Sequence, residues 1–299
     1  MTVFLDGGMG QALRARGLNT DARSSAQALI DSPTAVRDVH QEYIAAGADV
    51  ITTWNYTVTP QRLAQIGLRD RLGEITRLAV AMAEAGRAEA GKAGLHIAGS
   101  LPPLRASYEP NAQDPASMVE EYAEISGHLS PGVDLFLCET MSSAAEAAAA
   151  ARAAARHGKP VWVSWTLRDE RDGLLRSGET VAAALAALDG IPVEAVLFNC
   201  CDADAITEAL PRLRAMTGLR IGAYANAFMP IAKDWKRQGV NLRDLRDLSP
   251  EEYAGFAAQW RALGADIVGG CCGIGPAHIA RLRADLDGAG ATNPRRTPQ

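Results

Sequence analysis

Short apolar runs of strand length recur along the chain, and between them lie longer stretches whose apolar residues return three and four positions apart. Read as strands, the runs are Val3 to Leu5, Ala48 to Thr53, Leu95 to Ala98, Val133 to Leu137, Pro160 to Thr166, Val193 to Phe198, Leu219 to Ala223 and Asp266 to Val268. The stretches after them read as helices, chief among them Thr34 to Ala46, Arg71 to Ala90, 117–129, Ala144 to Ala155, 203–216, 250–263 and 276–286. Ala144 to Ala155 is among the strongest of these, because alanine has the highest intrinsic helix propensity. Eight strand–helix units with no Pro/Gly/Ser linker between them predict an α/β fold, a single-domain (β/α)8 TIM barrel over residues 1–288. A doubly wound open sheet is the alternative architecture, and 289–299 reads as a frayed C-terminal tail.

A short phrase echoes three times: Gly47-Ala48-Asp49-Val50, Gly132-Val133-Asp134-Leu135 and Gly264-Ala265-Asp266-Ile267. In each, a glycine ends a helix and an aspartate precedes the strand core. The carboxylates of Asp49, Asp134 and Asp266 therefore sit at strand starts, the stability face of such a barrel, and are read as structural.

Composition narrows the partners. With 47% hydrophobic residues the chain of 299 can bury a large core. A net charge of -5, with both signs dispersed, offers no basic patch to nucleic acid and no polybasic anchor to a membrane, so the expected partners are small molecules. The amino terminus lacks the pattern of a signal peptide and no apolar run approaches membrane-spanning length, so a cytoplasmic location is expected. Five cysteines are an odd number for a disulfide framework, and four of them form the vicinal pairs Cys200-Cys201 and Cys271-Cys272, which suits an intracellular metal or thiol site.

In a (β/α)8 barrel the loops after the strands share one face, which gathers Asp6, Tyr56, Glu139, Trp165, Cys200, Asn226, Cys271 and Cys272. Side chains alternate along a strand, so Cys271 and Cys272 can aim together only if Gly269, Gly270 and Gly273 end the strand in an irregular turn. Two such sulfurs with Cys200 after the sixth strand would give a soft metal, zinc above all, three protein ligands and one open position, the pattern of a catalytic site. The bland reading is that these are small buried apolar residues. For Cys201 and Cys138 packing is the preferred reading, and none of the five histidines falls where a ligand or base is wanted.

Asp6-Gly7-Gly8, Ile51-Thr52-Thr53 with Tyr56, Glu139-Thr140, Asn199-Cys200 and Gly269-Gly270-Cys271-Cys272-Gly273, in that order, resemble the homocysteine S-methyltransferase family, zinc-dependent barrels that methylate homocysteine. The resemblance runs from Asp6 to about His278. It implies zinc as cofactor at Cys200, Cys271 and Cys272, and the amino group of homocysteine held by Asp6 and Glu139. It implies the substrate carboxylate at backbone amides near Gly7 and Gly8, and Tyr56 matches a family position; Asn226, at the end of the seventh strand, is also taken as substrate-binding. A free thiol with a pKa near 8.5 is only about 3% ionised at pH 7, so forming the nucleophile costs roughly 2 kcal/mol; zinc coordination removes the proton.

The expected reaction moves a methyl group from a sulfonium donor, S-methylmethionine or S-adenosylmethionine, to the zinc-bound thiolate of homocysteine, giving methionine. Trp54, Tyr56, Trp165, Tyr224 or Phe228 are candidates to cradle a cationic donor. Sulfonium donors lead because the chain has no residues left for folate or cobalamin modules and lacks the long C-terminal extension of betaine-dependent relatives. Trp54-Asn55 and the long loop Leu101 to Tyr108 depart from the family pattern on the donor side. The alternatives are a betaine- or selenocysteine-type methyltransferase, and a non-catalytic zinc-binding or redox-sensing barrel.

Overall fold

The computed structural model describes residues 2–21, 25–227 and 248–290. Its strands are β1 (Val3–Phe4), β2 (Val50–Thr52), β3 (His96–Leu101), β4 (Leu135–Met141), β5 (Val161–Trp165), β6 (Ala195–Asn199), β7 (Arg220–Tyr224) and β8 (Ile267–Val268). All pair in parallel, in the order β1-β8-β7-β6-β5-β4-β3-β2. A parallel bridge between Leu5 and Val50, with the Asp6 N–H donating to Val50 O at 3.0 Å, joins the two ends of that order. The sheet is therefore a barrel rather than an open doubly wound sheet.

Alternation along the strands divides the core in two. Phe4, Ile51, Ile97, Phe136, Val163, Phe198 and Val268 face outward and pack under the helices. Leu5, Val50, Ala98, Leu135, Leu137, Trp162, Leu197, Tyr224 and Ile267 fill the barrel interior. The helix Ala144–Ala155 coincides with its expected span, started by Ser143, whose side chain accepts from Glu146 N.

At the bottom face the three repeated aspartates perform one task. The Phe4, Ile97 and Ile221 N–H groups donate to the carboxylates of Asp49, Asp134 and Asp266 at 3.1, 2.7 and 3.1 Å. The N–H groups of the same aspartates donate back to Phe4, Ile97 and Ile221 carbonyls at 2.7 to 2.8 Å. Each aspartate thus closes a two-bond clasp between adjacent strands where regular pairing has not begun.

Three details differ from the sequence reading. Short helices Ser25–Asp31 and Pro60–Ala64 were not expected; the second is set by Thr59, which accepts from Arg62 N, and by Pro60 at its first position. β4 continues through Glu139 to Met141, with a shift of register after Cys138 and Thr140 at φ 60°. The last helix, Pro276–Gly290, runs past residue 288. The rest of the expected tail, 291–299, lies outside the described residues, as do Phe228 and most of the excursion before residue 249. Among the described residues no helix is long and apolar enough to cross a membrane.

Candidate active site

Toward the carboxyl ends of the strands the barrel interior turns polar. The inward positions pass from Val50, Ala98, Leu137, Trp162 and Leu197 to Thr52, Ser100, Glu139, Ser164 and Asn199. These polar groups bond across neighbouring strands. Thr52 donates its N–H and hydroxyl to the Asp6 carboxyl at 2.8 and 3.1 Å, and the Ser100 hydroxyl donates to Glu139. Asn199 Oδ1 accepts from Ser164 Oγ and Thr140 N at 2.7 and 2.9 Å, while its amide donates to Thr140 Oγ1 at 2.8 Å, holding the left-handed residue that follows Glu139.

Asp6 and Glu139 are neither a helix cap nor a solvated loop acid, for both are buried and the first helix is capped at Gly8. Burial pushes the Asp6 carboxyl up to about 7, against the two bonds from Thr52, and the nearby Glu139 charge adds to the rise. Glu139 is likewise raised to about 7 by burial, against its bond from Ser100.

The sulfurs converge because two strands end irregularly. Cys200 follows β6 in the left-handed region, φ 55°, with its N–H donating to Tyr224 O at 3.2 Å. That reversal sends Cys201 into the outer layer. β8 stops at Val268, and a Cβ on Gly269 would lie 2.4 Å from Leu5 Cβ, one on Gly270 2.1 Å from Ile274 Cγ2. Only glycine fits either place. Gly270 N–H donates to Asp6 O at 2.9 Å, Cys271 N–H to Ala225 O at 3.0 Å, and the Tyr253 hydroxyl to Gly269 O at 2.8 Å.

The ligand atoms of Cys200, Cys271 and Cys272 consequently all lie within 4.8 Å of one another, with Cys200 and Cys272 Sγ 3.9 Å apart. Tetrahedral zinc–sulfur bonds of ~2.3 Å set neighbouring sulfurs about 3.8 Å apart, so this all-thiol set fits a soft metal. Cys272 is held well below the ordinary thiol pKa by hydrogen bonds from Cys200 and Cys271, while Cys271 is pushed up by its bond to Cys200. Cys138 and Cys201 sit in the outer core, where burial raises both thiols.

Other expected site residues divide. Tyr56 is near enough for the Cys200 charge to raise its hydroxyl, after the larger effect of burial, and bonds Ser107 Oγ at 2.8 Å; Arg62 lies 5.4 Å over its ring. Asn226 N–H donates to Cys201 O at 3.1 Å, and its buried Oδ1 has no partner among the described residues. Side chains at Gly7 and Gly8 would strike Ile274 O at 2.3 Å and Cys271 O at 2.6 Å, so both glycines admit the turn that carries the sulfurs. The Gly8 amide, expected near a substrate carboxylate, instead donates to Ile274 O at 2.8 Å.

Among the aromatics, Trp165 is a correction. It is fully buried in the outer layer, because Ser164 takes the inward position. Tyr224 faces the barrel interior and Trp54 packs on the helix layer. Sequence reasoning missed Ser100 as partner of Glu139, Tyr253 as brace of the glycine turn, and Tyr43, whose hydroxyl donates to Ile274 O at 2.9 Å. For Ser100 the change from apolar to polar at the last inward positions of β2 to β6 was the available signal; Tyr43 and Tyr253 lie on helices and carried none. Tyr108, in the loop assigned to the donor side, has φ 68° and its hydroxyl 3.0 Å from Cys200 Sγ.

Comparison with known proteins agrees with this geometry. A family model described as homocysteine S-methyltransferase matches residues 3–286. The chain is 33% identical to the homocysteine S-methyltransferase of Escherichia coli over 94% of both chains. It is 28% identical to the homocysteine S-methyltransferase YbgG of Bacillus subtilis, covering 94% of this chain and 93% of that one. Among solved structures, the metallated form of the homocysteine methyltransferase MmuM from Escherichia coli superposes with a TM-score of 0.81 at 30% identity, covering 95% and 96% of the two chains.

Proposed function

Since the chain belongs to the homocysteine S-methyltransferase family and is an enzyme of methyl transfer to homocysteine, we propose that it methylates homocysteine at a zinc centre, with a sulfonium compound, S-methylmethionine or S-adenosylmethionine, as donor. The observation that carries this is the convergence of three cysteine sulfurs within 4.8 Å beside two buried carboxyls. The Escherichia coli relative crystallised in a metallated form supports a metal here.

Cys200, Cys271 and Cys272 hold the zinc, which when bound supplies an ionised substrate thiol at neutral pH. Asp6 and Glu139 receive the homocysteine ammonium. A cation brought to them favours the charged carboxylates and so offsets the burial that raises both, so that substrate binding ionises its own receptor. Asn226, whose buried Oδ1 has no partner among the described residues, and the chain near Gly7 complete the amino-acid pocket. The substrate sulfur attacks the donor methyl carbon in line; the old carbon–sulfur bond breaks and the donor leaves as a neutral thioether. Interior packing of the other strands keeps water from below the site.

Two measurements test this reading. Metal analysis of the purified protein should return about one zinc per chain, lost in Cys272→Ala, as three-cysteine coordination requires. The zinc-loaded protein should form methionine from homocysteine with S-methylmethionine or S-adenosylmethionine. Turnover with betaine alone would overturn the sulfonium assignment, and turnover with dimethylsulfoniopropionate alone would overturn the choice of the two named sulfonium compounds. A metal-free disulfide among the three cysteines in the active preparation would overturn the zinc centre.

A further inference from the structure

We infer that Tyr108 is a positioning residue that keeps the Cys200 ligand sulfur from competing with the substrate sulfur for the methyl group. The inference rests on the zinc centre proposed above. At such a centre three protein thiolates and one substrate thiolate share a metal and face the same electrophile. Nothing in coordination alone tells the four sulfurs apart, and methylation of a ligand would end the enzyme's life.

Among the described residues, Cys200 is treated differently from its partners. The Tyr108 hydroxyl lies 3.0 Å from Cys200 Sγ. A metal-ligating cysteine carries no proton, so the phenol O–H donates and the sulfur accepts. A charge-assisted bond of this kind draws electron density from the sulfur lone pairs and occupies one of them. The bonded thiolate becomes the weaker nucleophile while remaining a ligand.

Tyr108 is held to that task at some cost. Its backbone is in the left-handed region, φ 68°, where a bulky side chain is disfavoured. The Arg176 guanidinium lies 5.0 Å over its ring, and a cation there strengthens the phenol as a donor by withdrawing density from the ring. Arg176 is in turn fixed to Asp169 at 2.9 Å, both side chains almost fully buried, and Asp169 accepts the Asp202 N–H at 2.9 Å. The clamp therefore begins and ends on the segment that carries Cys200. The Thr166 hydroxyl, just after β5, donates to Cys200 O at 3.2 Å and fixes the same segment.

The test compares Tyr108→Phe with the unmodified sequence, both loaded with zinc and assayed for metal content, and needs no knowledge of the natural donor. Iodomethane is the probe: the thiolate forms a carbon–sulfur bond, the carbon–iodine bond breaks, and iodide leaves with the electron pair. Peptide mass spectrometry then reads methylation at each cysteine. Cys200 should be methylated about fivefold faster in Tyr108→Phe, with Cys271 and Cys272 unchanged, as expected for loss of one charge-assisted bond. In the cobalt(II)-loaded variant the thiolate-to-metal charge-transfer band should move to lower energy. Equal acceleration at all three cysteines, no acceleration, or an unmoved band would overturn the role of Tyr108. Failure of the unmodified protein to take up zinc would overturn the centre, and this inference with it.

Discussion

A buried carboxyl whose charge is costly until a cation arrives can couple its own ionisation to binding. Asp6 and Glu139 have that property, being buried and raised to about 7 from ordinary values of 3.8 and 4.5. The sign follows for stability. The folded state holds these protons more tightly than the unfolded chain, so their contribution favours folding below about pH 4 and is lost as pH rises toward 7. Asp6→Asn removes a buried charge yet keeps a partner for both Thr52 groups, because the threonine hydroxyl can accept from the new amide. We expect this variant to unfold at a higher temperature than the parent at pH 8, with the gain shrinking toward pH 5, and to bind homocysteine at least tenfold more weakly. Calorimetry at the two pH values decides the first point, and an equal shift at both would contradict the raised carboxyl. For the parent protein, the homocysteine KM should fall as pH rises through 7, since the ionised carboxyls are the binding form.

At the scale of elements, the strands carry two different kinds of aspartate and acid, told apart by which end they occupy. Asp49 bonds Phe4 N–H at 3.1 Å and takes an ion pair from Arg283 at 2.8 Å, both far from the sulfurs. Asp49→Ala leaves a buried backbone donor without its partner, which costs about 1–3 kcal/mol. The expected outcome is a lower denaturation midpoint with an unchanged requirement for homocysteine, read by urea titration and steady-state kinetics. A change in substrate requirement without loss of stability would reverse the assignment of that face. The glycine turn after β8 is the opposite case, since Gly270→Ala would drive a methyl group into Ile274 and displace both Cys271 and Cys272.

For the molecule as a whole, a metal that binds only the folded barrel stabilises it by mass action, about 2.7 kcal/mol at free zinc a hundredfold above its dissociation constant. For a chain of this size that corresponds to roughly 5 °C in Tm. Chelation should lower the melting temperature by this order, and Cys271→Ser should melt the same with or without added zinc. A shift that survives in Cys271→Ser would mean that the metal binds elsewhere.

How much of this was legible in the sequence depends on the range of the interaction responsible. Strand and helix periodicity, the alanine-rich helix Ala144–Ala155 and the three glycine–aspartate entries are local, so the chain by itself determined eight repeated units, while their closure into a barrel rather than an open sheet was decided by the Leu5–Val50 bridge. The order of those units then put Asp6, Glu139, Cys200, Cys271 and Cys272 at one end. Alternation alone reads Cys200 as an outward residue, next to the inward Asn199. Cys200 was nonetheless the expected ligand of its vicinal pair; the tertiary structure supplied the means, through a left-handed residue held by Tyr224 O and a glycine turn packed against Leu5 and Ile274. It also decided that Ser100 serves Glu139, that Trp165 faces away, and that Tyr108 reaches Cys200 from a loop ninety-two positions earlier. Such contacts join segments distant in sequence, and their distances exist only once the ring of strands has closed.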